Sequence, residues 1–236
     1  MRNKNQGRLS FVALLLAAGC AWLLSGCATP TKLAFAADPK TPPKPDEQIF
    51  LMTANFRNIY HTSHQMNLLV VHVQKPGATE KKDRINFTMD KSAKAETGSA
   101  ELGNSYYLSM KLPPGNYVIE GFTCLSRSFP TQTFFFAPLH TELNVAGPGV
   151  FYLGHVDARV RERQDNEFKA GPSVPLIDQA VGGASGGTFD IELSDQWDAD
   201  REMFVSRFPA LTDVAVVKAV LPPFDRARAQ EWWEKH

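Results

Sequence analysis

Three histidines are the side chains whose type and spacing best suit metal chemistry. His61 and His64 lie in a predicted loop, and His72 lies in the strand that this loop opens. Zinc is held by neutral imidazoles together with a third or fourth ligand, and no cysteine pair or obvious glutamate accompanies these residues. We interpret them as polar loop residues and expect no metal and no cofactor. A metal- or small-ligand site built from His61, His64 and His72 is kept as an alternative.

One serine lies in a pattern that nucleophilic enzymes use. Ser185 is the centre of Gly183-Ala184-Ser185-Gly186-Gly187, which matches G-x-S-x-G. A nucleophile elbow has a strand before the serine and a helix after it, whereas here glycines flank it and a predicted strand follows. The stretch also lacks the Lys-Ser/Thr of a phosphate-binding loop. We therefore predict a flexible loop in a protein that is not an enzyme, with a hydrolase as the less favoured alternative.

A charged strand face offers one further candidate. His155 and Asp157 point to the same side of a predicted strand, as a catalytic pair would, but Arg159 and Arg161 share that side. Cross-strand ion pairs are common on exposed sheet faces, so we predict a solvated charged face. Binding residues are not predicted individually. The candidate surfaces are Tyr60–His64, the Gly182–Gly187 loop and the Arg159/Arg161 face.

The first residues of the chain have the layout of a secretory signal. Basic residues precede an apolar run, Leu9–Leu24, which ends at small residues and Cys27. This order is typical of a signal peptide. The run of 16 residues is shorter than the roughly 20 that a transmembrane helix needs, so a retained helix is the less favoured alternative. A second possible junction, Ala17–Cys20, lacks a branched residue three positions before its cysteine.

The junction Leu24-Ser25-Gly26-Cys27 resembles the lipobox of bacterial lipoproteins. The resemblance implies cleavage after Gly26 and attachment of acyl chains such as palmitate to Cys27. Ala28, rather than Asp, follows the cysteine, and by similarity to enterobacterial lipoproteins this implies sorting to the outer membrane. We therefore expect a lipid-anchored protein that faces the periplasm.

Charge content argues against a nucleic-acid-binding protein, and cysteine content argues against a scaffold held by disulfides. Without the three basic residues of the signal, the chain has 22 basic and 25 acidic residues, so it lacks the basic excess of a nucleic-acid-binding protein. Membrane association must then come from the lipid. Once Cys20 is removed and Cys27 is acylated, Cys124 has no disulfide partner, and its apolar neighbours predict a buried thiol.

Composition divides the rest of the chain into three parts. Residues 27–47 are proline-rich and predict an extended tether. Residues 48–221 consist of short β-type runs separated by Gly and Pro, which predicts an antiparallel sandwich. Within this domain a helix is predicted at about 195–207, with one apolar stripe formed by Trp197, Phe204 and Phe208. Residues 222–236 predict a helical tail in which Trp232 and Trp233 are either docked or an exposed handle.

Two strand features carry specific predictions. Tyr106, Leu108, Met110 and Leu112 alternate with more polar residues, which predicts that these four point inward. Gly121 interrupts the next strand and is predicted to form a β-bulge at which the inward face switches.

The turns resemble a known fold family. Leu112–Val118, with Pro113-Pro114-Gly115, is followed by Val145-Ala146-Gly147 and Val150–Gly154. This pattern is similar to prealbumin-like (transthyretin-like) and carboxypeptidase-regulatory-like sandwiches, over roughly residues 105–160. The resemblance implies a mainly β, Ig/transthyretin-like fold. It also implies a protein partner in the envelope, because transthyretin-like lipoproteins of secretion systems share this architecture. The expected function is a non-catalytic binding or structural module of the cell envelope.

Overall fold

The structure, a computed structural model, describes residues 29–95, 99, 101–145, 147–171 and 177–235. This part of the chain is mainly β. Its strands are β1 Thr29–Lys32, β2 Gln48–Asn58, β3 Asn67–Gln74, β4 Arg84–Thr88, β5 Asn104–Leu112, β6 Tyr117–Ser128, β7 Thr131–Leu143, β8 Gly149–Glu162, β9 Gly187–Ser194 and β10 Val216–Lys218. Its helices are α1 Ile177–Val181, α2 Trp197–Arg207 and α3 Arg226–Lys235, with 3₁₀ turns at Lys81–Asp83 and Pro209–Leu211.

The strands form two mixed sheets. Sheet A has the order β1-β4-β3-β6-β7, and sheet B has the order β10-β8-β2-β5, with β9 also paired to β8. The pairs β1–β4, β2–β8 and β8–β10 are parallel, so the prediction of a purely antiparallel sandwich is wrong. Parallel neighbours need a long connection, and strands of sheet A lie within the chain that joins β2 to β8. An alternating apolar pattern shows that a segment is a strand, but it does not show whether the neighbouring strand is parallel or antiparallel.

The inner faces of the two sheets share one core. Phe56 on β2 meets Phe122 on β6 with ring centroids 5.3 Å apart. The predicted inward residues of β5 are all buried: Tyr106, Leu108, Met110 and Leu112. That prediction is confirmed.

Sheet B is also covered on its outer face. Helix α2 lies there, and Phe204 and Phe208 are completely buried against a cluster that contains Leu51 and Tyr152. Trp197 packs on Tyr152 with ring centroids 4.9 Å apart. A sheet buried on both faces needs apolar side chains at consecutive positions, which explains the continuous run Ile49–Met52. The predicted helix and its apolar stripe are confirmed.

Residues 29–36 differ from the predicted tether. Strand β1 pairs with β4, so β1 rather than β4 forms the edge of sheet A. Leu33 and Phe35 are buried, and Phe35 packs on Phe208 with centroids 5.2 Å apart. Burial of these two large apolar side chains and pairing with the edge of β4 hold this segment on the rest of the domain. Cys27 and the rest of residues 1–28 lie outside the described residues.

The outer face of sheet A is covered by a helix at one end. Helix α3 packs on β7 through the buried Ala229 and through Trp232. The Trp232 ring lies 5.5 Å from that of Phe136 and 4.8 Å from that of His140, between centroids. The predicted helical tail is therefore present, and its tryptophans are docked and half-buried. None of the helices in the described ranges is long and apolar enough to cross a membrane.

Candidate ligand-binding site

An apolar cavity of about 420 Å³ lies between β7 and α3. We call it the aromatic pocket. It is lined by Thr123, Phe134, Phe135, Phe136, Pro138, Phe168, Lys169, Gly171, Ala229, Trp232 and Trp233. Alternation along β7 places Phe134, Phe136 and Pro138 on the outer face of sheet A, where they meet α3. Lys169 is the one charged side chain in this lining.

A polar groove continues from the aromatic pocket across the same sheet face. The two cavities share Thr123, Phe136 and Trp232. The groove has a volume of about 880 Å³ and reaches Pro30 on the edge strand β1. Its remaining lining residues are Val70, His72, Val73, Gln74, Ala78, Arg84, Asn86, Thr88 and Glu120. The outer face of sheet A therefore has an apolar end beneath α3 and a polar middle.

The bulge predicted at Gly121 shapes this groove. The pairing of β6 with β7 shifts between Ile119 and Gly121. The inward-facing residues are Tyr117 and Ile119 before this shift and Phe122 and Cys124 after it. As a result Glu120 and Thr123 both face outward, three residues apart on one strand. A side chain at Gly121 would place its Cβ 2.3 Å from the carbonyl oxygen of Ala137. The prediction of a bulge that switches the inward face is confirmed.

Hydrogen bonds fix the polar side chains of the groove. His72 Nδ1 lies 2.9 Å from Asn86 Oδ1, and its Nε2 lies 2.7 Å from Thr123 Oγ1. Burial lowers the pKa of His72, and the hydrogen bond that His72 donates to Asn86 partly opposes this shift. The neutral imidazole then donates through Nδ1 and accepts the Thr123 hydroxyl proton at Nε2.

Glu120 is held on both carboxylate oxygens. Its Oε1 accepts a hydrogen bond from Gln74 Nε2 at 2.7 Å, and its Oε2 accepts one from His140 Nδ1 at 2.9 Å. His140 is buried beneath Trp232. The acidic group of the groove is thus engaged within the fold.

No match to this chain is found among protein-family models, curated proteins or solved structures. The site must therefore be interpreted from its own geometry.

The structure does not bring the three candidate histidines together. His61 and His64 lie 6.4 Å apart between ring centroids, but both ring nitrogens of His72 already have protein partners on sheet A. His61 Nδ1 donates to the Val181 carbonyl at 2.7 Å. Within the described ranges, no group of three or more His, Cys, Asp or Glu residues is arranged to hold a metal ion. His72 instead lines the polar groove.

Ser185 lies between a helix and a strand, in the reverse of the order that a nucleophile elbow requires. Helix α1 precedes it and β9 follows it. The Gly182–Gly187 loop is also packed rather than free. A Cβ at Gly182 would lie 2.1 Å from Thr133 Oγ1, and the Gly182 carbonyl accepts a hydrogen bond from Asn58 at 3.0 Å. The prediction of a flexible loop is therefore corrected: the glycines allow close packing.

The charged strand face carries ion pairs, as predicted. Arg159 lies 3.6 Å from Asp157 and 3.7 Å from Glu192. Arg161 binds Asp190 across the β8–β9 pair and Glu167 in the loop that follows β8. The contacts with Glu192 and Asp190 are cross-strand ion pairs between β8 and β9.

His155 belongs to a different, buried cluster. Thr53 Oγ1 donates to Asp200 Oδ2 at 2.6 Å, and the Tyr152 hydroxyl donates to the same oxygen. Because the single Thr53 proton is used there, His155 Nδ1 donates to Thr53 Oγ1 at 2.8 Å. This cluster ties α2 to sheet B.

Cys124 is completely buried and forms no disulfide bond among the described residues, as predicted. Burial raises the pKa of its thiol, which leaves it in the unreactive protonated form.

Sequence reasoning did not find the aromatic pocket. The signal was present in Phe134, Phe136 and Pro138, which alternate along one strand, and in the Trp232-Trp233 pair. What the sequence lacks is any indication that the tail helix packs on that strand.

Proposed function

We propose that this protein is a lipid-anchored, non-catalytic binding module of the bacterial envelope. In this proposal acylated Cys27 holds it at the outer membrane, facing the periplasm, and the aromatic pocket binds the apolar part of a small ligand. We also propose that the domain has a transthyretin-like fold, and this part of the proposal rests on the turn motifs. The cavity beneath α3 is the observation that carries the binding function.

The size and lining of the pocket support this function. Its volume of about 420 Å³ lies in the range of roughly 300–1,000 Å³ that is typical of small-molecule sites. Aromatic walls contributed by Phe134, Phe136 and Trp232 remove apolar ligand surface from water, at about 0.8 kcal/mol for each buried methylene. The adjacent polar groove fits the other requirement of such sites, a few fixed hydrogen-bonding groups.

The position of the anchor supports a ligand that comes from the membrane. Cys27 is two residues before Thr29, so their Cα atoms are separated by at most about 7 Å. Strand β1 therefore begins next to the proposed lipid, and Pro30 in that strand lines the polar groove. A lipid-anchored form of this domain would hold the groove close to the bilayer surface.

The test is saturable binding of a neutral hydrophobic fluorophore, N-phenyl-1-naphthylamine. It uses the mature chain with Cys27→Ser, purified without detergent. This substitution lies before Leu33, the first buried residue of the described core, and should leave the core intact. We expect Phe136→Ala and Trp232→Ala each to weaken binding about 10-fold or more, because each removes a large apolar wall. Phe129→Ala is the matched control, since Phe129 is fully exposed outside the pocket.

Thermal unfolding of each variant shows whether it is folded. Absence of saturable binding to the unsubstituted domain would refute the function. Equal binding by folded Phe136→Ala and Trp232→Ala would refute the location.

A protein partner in the envelope is the second candidate, and the tip of the β6–β7 hairpin favours it. Phe129 is 102% exposed there, and buried aromatic residues dominate the energetics of many protein interfaces. A photo-crosslinking residue at position 129 should yield a discrete adduct in cells, whereas one at Lys81 should not. Identical adduct patterns from both positions would refute this second candidate.

A further inference from the structure

We infer that the ligand is a single-chain anionic amphiphile, a long-chain carboxylate. Its hydrocarbon chain would lie in the aromatic pocket and its carboxylate beside Lys169. This inference rests on the proposed binding function and adds the chemical class of the ligand.

Lys169 is the first observation that points to an anion. It is half-buried, and it is the one charged residue in the lining of the pocket. In the part of the chain that the structure describes, no acidic side chain forms an ion pair with Lys169. A lysine that lines an apolar cavity and forms no ion pair among the described residues favours a negatively charged headgroup.

Two neighbouring arginines, Arg226 and Arg161, differ from Lys169 in having acidic partners. Arg226 lies 5.1 Å above the ring of Phe168, a lining residue, but it binds Glu167 and Asp190. Arg161 binds the same two acids. The carboxylates of Glu167 and Asp190 are thus engaged with arginines, and neither pairs with Lys169.

The acid of the polar groove does not favour a cationic ligand. Glu120 accepts hydrogen bonds from Gln74 and His140, one on each oxygen. A cationic headgroup would have to compete with these two donors, whereas an anionic headgroup at Lys169 displaces no protein partner. The charge balance of the joined cavities therefore favours an anion.

Arg163 adds positive charge beside Trp233 of the pocket. Its guanidinium lies 5.7 Å above the ring of Trp233, which lines the pocket. It donates a hydrogen bond to the carbonyl of Asp165 at 2.6 Å, and its buried Nε has no partner among the described residues. Arg163 therefore adds a positive charge next to a wall of the pocket, and a nearby positive charge attracts an anion.

The inference is tested with three ligands of one chain length that differ in headgroup charge. Dodecanoate, dodecanol and dodecyltrimethylammonium are each used below their aggregation concentration to displace the neutral fluorophore from the Cys27→Ser chain. We expect dodecanoate to bind about 10-fold more tightly than dodecanol, as hydrogen bonds to charged groups allow. The trimethylammonium compound should bind most weakly.

Substitution of Lys169 locates the charge effect. Lys169→Gln should remove the advantage of dodecanoate and leave the affinity for dodecanol unchanged, while Lys169→Arg should preserve the advantage. Lys81→Gln is the control, since Lys81 is exposed and lines neither the pocket nor the groove. Equal binding of dodecanoate and dodecanol, with fluorophore binding still dependent on Trp232, would overturn the headgroup inference alone. Absence of fluorophore binding would overturn the proposed function as well.

Discussion

Glu120 and His140 are joined across β6 and β7 by a 2.9 Å hydrogen bond between Oε2 and Nδ1. The bond lies beside the Gly121 bulge, which turns Glu120 toward the outer face of sheet A. His140 in turn packs beneath Trp232 of α3. One contact thus links the bulge, the acid of the polar groove and the helix that closes the aromatic pocket.

His72 should titrate below the ordinary histidine range. Burial lowers its pKa below the usual 6.5, so the neutral form is favoured in the folded state. The contribution of His72 to stability is therefore present above pH 6.5 and is lost as the pH falls below that value. NMR titration of the ring nitrogens should show this shift.

Asn86→Ala should lower the pKa of His72 further, because the Asn86 hydrogen bond raises it. Asn144→Ala, an exposed substitution outside the groove, is the matched control and should leave the titration of His72 unchanged. A His72 midpoint at or above 6.5 in the unsubstituted protein would contradict its burial in this network.

Gly121→Ala should destabilise the protein by about 1–3 kcal/mol, the usual cost of forcing extra atoms into a packed site. The added Cβ would lie 2.3 Å from the Ala137 carbonyl oxygen. Chemical denaturation measures the loss. Gly77→Asn is the control, because nothing lies within 4 Å of a Cβ there and asparagine tolerates its positive φ. Equal stability of the Gly121→Ala and unsubstituted proteins would argue against the bulge.

Glu167 should make the fold sensitive to acid. Its hydrogen bonds with Arg161, helped by the backbone of Gln164 and the charge of Arg226, lower its pKa to about 2. Because the folded pKa is depressed, this stabilisation is present above about pH 4.5 and is lost as the pH falls toward 2.

Glu167→Gln should therefore lower the unfolding temperature at pH 6 by a few degrees, at about 2–4 °C for each kcal/mol lost, and by much less near pH 2. Glu192→Gln changes an exposed acid 3.7 Å from Arg159 and should have little effect. A constant difference between Glu167→Gln and the unsubstituted protein across this pH range would exclude the ionised carboxylate as the cause.

Cys27→Ala should give a folded protein that is no longer extracted with the outer-membrane lipoproteins. The reason is that this substitution removes the thiol to which the proposed acyl chains are attached. Membrane fractionation and labelling with a radioactive fatty acid measure this. If Cys27→Ala fractionates and labels like the unsubstituted protein, the acyl anchor is not at Cys27.

Local patterns predicted the features that depend on near neighbours in the sequence. The inward face of β5, the Gly121 bulge and the stripe of α2 follow from periods of two and 3.6 residues. The prediction of an extended tether is wrong for the segment that contains Leu33 and Phe35. Its prolines are typical of a tether, but burial of these two apolar side chains is enough to hold the segment on the domain.

Contacts between distant segments account for what sequence patterns missed. The parallel pairing of β2 with β8 joins residues about a hundred positions apart, and the same is true of Trp232 on His140. No periodic signal specifies which segment covers a given sheet face. The aromatic pocket exists only because α3 packs on β7, so its discovery required the fold.

A crystal structure of the Cys27→Ser chain with dodecanoate would show both the occupied cavity and the partner of the headgroup. We predict the hydrocarbon chain between Phe136 and Trp232, with the carboxylate in contact with Lys169 Nζ. A dodecanoate bound elsewhere, or a pocket that stays free of ligand at saturating concentration, would contradict the account.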